Sequence, residues 1–172
     1  TLTATSTFGA TIAAGQLFGH GNINTDLRVI ADGILAPGDA PNDRTARFDI
    51  DGDVLLDGQY IVEIGGTDMS DFDHIVATGD AALNGTLRVA LIDGFQPVAG
   101  DFFDIVLAGR IDGGFTLLDL PMLATTLKFD AIKTDQYFRL LVSAVPLPPA
   151  LPLFGLVTGL LLVRKRKTSK SA

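Results

Sequence analysis

A strand-and-turn unit occurs twice in this chain at a fixed offset of 27 residues. Gly52-Asp53-x-x-Leu56-x-Gly58-x-Tyr60-x-Val62-x-Ile64 returns as Gly79-Asp80-x-x-Leu83-x-Gly85-x-Leu87-x-Val89-x-Leu91. Each copy opens on a Gly-Asp turn, places one apolar residue, turns again at glycine and then alternates strictly. Alternation with period 2 marks a strand with one buried face. Tyr60, Val62 and Ile64 point inward, as do Leu87, Val89 and Leu91; Gln59, Ile61 and Glu63 face outward, as do Thr86, Arg88 and Ala90. Degenerate relatives stand upstream at Gly15-Gln-Leu17-Phe-Gly19 and Gly33-Ile-Leu35-Ala-Pro37-Gly38-Asp39. Units of 20 to 30 residues built this way form coils of a β-solenoid, each covering its neighbour's apolar face. Hairpins of a β-sandwich alternate similarly and remain the alternative. The fold class expected is all-β: a parallel β-solenoid (β-helix) body followed by a short C-terminal hydrophobic helix.

Composition agrees with strands and turns. Nineteen of the twenty acidic residues are Asp, and Glu63 is the single Glu. Asp and Gly favour turns, whereas Glu favours helices. Phe102–Leu107 and Tyr137–Val142 read as further strands. Phe115 and Phe129 are expected in the core or its end cap, with Gly109 to Val142 closing the end nearest the C-terminus. An open solenoid end is an exposed sheet edge and needs such a cap.

The chain divides at residue 145. Residues 1–144 hold eight basic and twenty acidic residues, a charge of −12, and residues 145–172 carry +5. An acidic body argues against nucleic acid, which needs Lys and Arg to neutralise phosphate. It favours solubility and repulsion between copies. Cysteine is absent, which excludes a disulfide framework and a thiolate site.

Residues 145–172 form a tail with three parts in order. Val145-Pro-Leu-Pro-Pro-Ala-Leu-Pro-Leu-Phe leads into an uncharged apolar run ending at Val163, and Arg164-Lys165-Arg166-Lys167 follows. Four prolines prevent a regular helix before about Pro152. The remaining stretch, of about 12 residues, reaches about 18 Å against a hydrocarbon core of about 30 Å. Counted from Val145 the run reaches about 28 Å. The tail is therefore a marginal or transient anchor, with Arg164, Lys165, Arg166 and Lys167 as a membrane stop on the cytoplasmic side.

This tail resembles a PEP-CTERM sorting signal, a mark of exported proteins in Gram-negative bacteria, many of which make extracellular polysaccharide. The sorting motif falls on Val145, Pro146, Leu147 and Pro148, with Leu147 where the usual motif has Glu, as in a Val-Pro-Leu-Pro variant. The resemblance implies cleavage near this motif by an exosortase, a membrane-embedded cysteine protease. It also implies contact with the bilayer, export to the outer surface or medium, and an exopolysaccharide matrix as a further partner. Such a protein has to be exported, so the sequence is expected to be a fragment or a trimmed precursor. The body, from about Gly15 to Val142, is similar to the passenger-type β-helix of autotransporters. Leu35–Pro41, Phe72–Gly79, Leu83–Phe95 and Gly100–Leu107 carry that likeness, which speaks to fold and hardly to chemistry.

Candidate chemistry is sparse. Asp49, Asp51 and Asp53 alternate and could offer oxygen ligands to calcium. Their spacing is not that of an EF-hand, and solvated turn carboxylates are the simpler reading. Asp68, Ser70, Asp71, Asp73 and His74 contain the residue types of a hydrolase triad, but no Gly-x-Ser-x-Gly elbow accompanies them. His20, between two glycines, reads as a turn residue. No cofactor is implied. The reading is an exported, non-enzymatic surface or matrix protein. A carbohydrate-binding or polysaccharide-cleaving solenoid and a calcium-stabilised adhesin are the alternatives. The first of these needs a lateral groove of aromatics and paired carboxylates, yet Tyr60 and Tyr137 are the only tyrosines and Trp is absent.

Overall fold

The computed structural model describes residues 9–38 and 45–146, which form fourteen strands and no helix. The expected hydrophobic helix lies outside them. The strands are β1 (Ala10–Gly19), β2 (Gly21–Ile23), β3 (Leu27–Pro37), β4 (Arg47–Ile50), β5 (Val54–Leu56), β6 (Gln59–Ile64) and β7 (His74–Ala77). They continue with β8 (Asp80–Leu83), β9 (Thr86–Leu91), β10 (Phe102–Leu107), β11 (Arg110–Gly113), β12 (Leu117–Asp119), β13 (Leu127–Lys133) and β14 (Tyr137–Ala144). They wind into a parallel β-solenoid of about three turns, which settles solenoid against sandwich.

One sheet runs β11-β8-β5-β3-β6-β9-β12 with β1 added to β3, and the other runs β13-β14-β10-β7-β4-β2. The long strand β3 pairs with β5 through its first half and with β6 through its second, so the larger sheet supplies two faces of each coil. The 27-residue repeat is the coil itself. Arg47 lies over His74, Val54 over Ala81 and Gln59 over Thr86. The upstream relatives also stack as their pattern predicts, with Gly15 beside Gly33 and Leu17 beside Leu35. The first full coil differs at one corner. Val29 pairs with Leu56 but Ile34 pairs with Gln59. The two extra residues are absorbed where Ala31 adopts a left-handed conformation (φ 51°).

The inward residues stack in columns along the axis. Leu27, Val54, Ala81 and Ile111 form one, and Leu35, Tyr60 and Leu87 form another. Every member of both columns is at most 2 % exposed. The phenolic hydroxyl of Tyr60, deep in this core, donates to the carbonyl of Ile105 at 2.9 Å.

Tight corners allow this stacking. A Cβ on Gly58 would lie 2.4 Å from the carbonyl oxygen of Gly33, and one on Gly85 would lie 1.9 Å from that of Gly58. These corner glycines are required by the close approach of successive backbones. The C-terminal end is closed by the antiparallel hairpin of β13 and β14, which continues the smaller sheet beyond β10. Phe115 stacks on Tyr60 at 6.2 Å and meets Phe138 edge-on, while Phe129 meets Phe103. Both phenylalanines therefore belong to the core and cap, as expected. Arg139 on β14 forms a two-pronged ion pair with Asp104 on β10 at 2.6 and 2.7 Å, which ties the cap to the last coil.

Replacing Gly85 with Ala is expected to lower the unfolding free energy by about 3 kcal/mol, because the backbone has no room to yield. Gly114→Ala, where a Cβ meets nothing within 4 Å, is expected within about 0.5 kcal/mol of the parent. Urea denaturation of both variants measures the difference.

Candidate functional site

The acidic residues on the coil corners bond from one coil to the next. Asp26 accepts the backbone N–H of Asp53 at 2.9 Å, and Asp53 accepts that of Asp80 at 2.8 Å. This ladder explains the Gly-Asp turns. A Cβ on Gly52 would lie 2.5 Å from Asp26 Oδ1, and one on Gly79 would lie 2.2 Å from Asp53 Oδ1. Two further aspartates make the same one-coil step. Asp51 accepts the hydroxyl of Thr78 at 3.0 Å, and Asp73 accepts the backbone N–H of Ala46 at 2.7 Å.

The three calcium candidates do not converge. Asp49 on β4 pairs with Arg47, Asp51 with Thr78 and Asp53 with Asp80. Among the described residues, no group of three or more acidic, His or Cys side chains is disposed to hold a metal ion.

The connection from β6 to β7 holds the other candidates. Gly65 donates to the carbonyl of Asp71 at 2.7 Å, and Asp71 donates to that of Asp68 at 2.8 Å, which folds the segment onto itself. The Ser70 hydroxyl donates to Asp71 at 3.3 Å, and the carbonyl of Ser70 accepts the Thr45 hydroxyl. His74 is covered, and its Nδ1 lies 3.2 Å from the carbonyl of Phe72. Among the described residues no hydrogen bond joins Ser70 to His74, so the segment does not assemble a nucleophile and base. His20 lies exposed in the turn between β1 and β2.

Asp73, read in the sequence only as one of a loose cluster with Asp68, Ser70, Asp71 and His74, is the residue whose burial sequence reasoning missed. It is fully buried, and both its oxygens accept backbone N–H groups, from Ala46 at 2.7 Å and Glu63 at 2.9 Å. Its spacing from Ile75 and Ala77, two residues at a time, was the available signal, since both are inward residues of β7. Burial pushes its carboxyl up to about 8, opposed by the two N–H donors and assisted by the Glu63 charge. Burial also lowers the pKa of His74, and burial aided by the Asp73 charge raises that of Tyr60.

Neither tyrosine offers a bare platform for stacking a sugar. Tyr60 is internal. One face of Tyr137 is covered by the Arg139 guanidinium, 4.6 Å from the ring centroid, and the same group lies 4.0 Å from that of Phe102.

The sorting residues divide at the edge of the described region. Val145 follows β14 directly and donates its N–H to the carbonyl of Thr126 at 2.8 Å. Val145 and Pro146 are described, while Leu147, Pro148 and the basic cluster Arg164, Lys165, Arg166 and Lys167 lie outside. Among the described residues no helix is long and apolar enough to cross a membrane. No family model matches the chain, and no match is found among curated proteins.

Two outcomes follow from this geometry. Folded Asp73 holds its proton between about pH 4 and 8, where an unfolded Asp has lost it, so ionisation drains stability as pH rises through that window. His74 acts the other way, costing stability as pH falls below about 6.5. From pH 6.5 to 8 the Asp73 effect stands apart, and the unfolding free energy is expected to fall by about 1 kcal/mol per pH unit. Asp73→Asn should flatten that slope while costing about 1–3 kcal/mol for the N–H left without an acceptor. Denaturant titrations at several pH values check both. Because the calcium candidates each have separate partners, melting midpoints with millimolar calcium and with chelator are expected to coincide.

Proposed function

We propose that this chain is an exported, non-enzymatic structural protein of the cell surface or matrix, sorted through a PEP-CTERM-like tail that an exosortase processes. The observation that carries the reading is the order of Pro-rich motif, apolar run and basic cluster over Val145–Lys167. The tail begins where the last strand ends, so cleavage after Pro146 would leave every described strand intact. Support also comes from the fate of the acidic side chains. Asp26, Asp51, Asp53 and Asp73 are engaged in bonds between coils, and the lateral groove that Asp26 and Asp53 line with Asp80 and Asp112 has no aromatic residue in its lining. A spacer or matrix component needs a stable, soluble, repetitive body and no convergent chemistry, and an acidic solenoid meets that need.

The test is the intact mass of the protein recovered from the envelope and medium of its native host. A C-terminus between Pro146 and Leu151 is expected. A C-terminus at Ala172, or a fusion carrying residues 145–172 that remains cytoplasmic and soluble, would overturn the reading.

A further inference from the structure

Three uncharged segments converge where the chain leaves the last strand. Residues 94–100 between β9 and β10, residues 120–127 leading into β13, and residues 140–146 at the end of β14 contain no Asp, Glu, Lys, Arg or His. The body as a whole carries twenty acidic and eight basic residues. Hydrogen bonds hold the three together. Gly100 donates to the carbonyl of Val142 at 2.9 Å, Val142 donates to that of Asp101 at 2.8 Å, and Val145 donates to that of Thr126 at 2.8 Å. The carboxylate of Asp101, which bounds the first segment, turns back to accept the N–H of Val98 at 2.8 Å.

Leu91, Pro97, Val98, Met122, Leu123 and Leu127 line a groove of about 550 Å³ between the first two segments, and no charged residue belongs to its wall. Its rim is open to solvent. Val98 is 61 % exposed, Met122 97 %, and Val145 at the chain's exit 39 %. An exposed apolar patch with a defined boundary marks a surface for a protein or a membrane.

We infer that this corner is a second membrane contact, resting on the extracytoplasmic surface of a zwitterionic bilayer while the tail is inserted. The inference rests on the reading of residues 145–172 as a membrane tail and adds to it a site on the body. Chain length places the corner there. As a helix, the uncharged run counted from Val145 reaches about 28 Å against about 30 Å of hydrocarbon, which leaves no linker. With its Pro-rich start extended at about 3.1 Å per residue it gains about 10 Å, which carries the exit no farther than the headgroup layer, about 5–8 Å deep. Charge selects the same corner. The acidic flanks gain nothing at a lipid surface, whereas an uncharged apolar patch settles at the boundary of headgroups and acyl chains. Stable anchoring by a weak anchor takes a second signal, and the tail holds this one at high effective concentration. The contact keeps the motif Val145–Pro148 at the bilayer surface. Removal of the tail takes away the larger of the two contacts and releases the body.

The chain contains no Trp, so one introduced indole reports its own surroundings. In the full chain reconstituted into phosphatidylcholine vesicles, the indole of the Met122→Trp variant is expected to be quenched by lipid brominated in the upper acyl chain. The indole of Asn22→Trp, exposed on β2 at the other end of the solenoid, is expected to keep its emission. Val98→Asp combined with Met122→Asp is expected to weaken partition into the vesicles about tenfold, by loss of the second of two linked contacts. The melting midpoint of that variant should match the parent's, since both side chains already face water. High salt should leave the quenching in place, because the contact is uncharged. A parent that does not partition at all would overturn the inference together with the tail reading. Partition with an unquenched Met122→Trp indole would overturn the inference alone and leave the groove to the tail itself or to a protein partner. Equal quenching of both indoles, or partition unchanged in the double variant, would likewise overturn it while the tail reading stands.

Discussion

Successive coils can bond to one another only if their corners come into backbone contact, and glycine makes that possible. Gly33, Gly58 and Gly85 stand one above the next with no space for a side chain between them. This closeness sets the register of the strands that follow, and in β6 and β9 that register holds over six consecutive residues. A one-residue slip would turn Tyr60, Val62 and Ile64 outward. The apolar columns follow from the corner contacts, because each inward residue falls over its equivalent in the neighbouring coil. The core is thus a product of register as much as of hydrophobicity.

A solenoid built on this rule has no intrinsic stopping point, and each end needs its own device. The C-terminal device is a reversal of direction. Strand β14 runs antiparallel to β10, and β13 turns back on it, so the smaller sheet ends in a hairpin instead of another coil. Aromatic contacts from Phe115, Phe129 and Phe138 fill the space beneath, and the Arg139–Asp104 pair locks the hairpin in place. At the N-terminal end the coil thins to β1 and β2, and the apolar columns reach the surface with partial cover.

The repeat made the solenoid legible before any coordinates, since glycine corners and period-2 alternation are local signals that recur at one spacing. The inward assignments of Tyr60, Val62, Ile64, Leu87 and Val89 all hold. Leu91 is only partly buried, because it lies toward the less covered end of β9. The candidate sites were much less legible. Asp49, Asp51 and Asp53 alternate along the chain and so suggested a shared face, but their partners come from β4 itself and from the next coil. Sequence spacing within one coil says little about a side chain whose partner is 27 residues away. Asp73 was hidden for a related reason. It follows the exposed segment 67–71, and its neighbours Phe72 and His74 are buried too, so no alternation marks it as inward until Ile75 and Ala77.

The same geometry bears on the excess of Asp over Glu in the composition. Adjacent strands in a sheet lie about 4.8 Å apart. An acidic side chain that is to reach a donor on the neighbouring coil has to span that distance without folding back. Asp, with a single methylene, does so with few rotamers to fix, whereas the longer Glu overshoots and loses more freedom on ordering. Four aspartates make this step, from Asp26, Asp51, Asp53 and Asp73, and each joins residues 27 apart. For these four of the nineteen aspartates the preference for Asp over Glu follows from coil spacing. Part of the chain's acidity belongs to the architecture rather than to a binding site. The negative charge that keeps the lateral surfaces soluble and mutually repelling comes in part from the residues that hold the coils together.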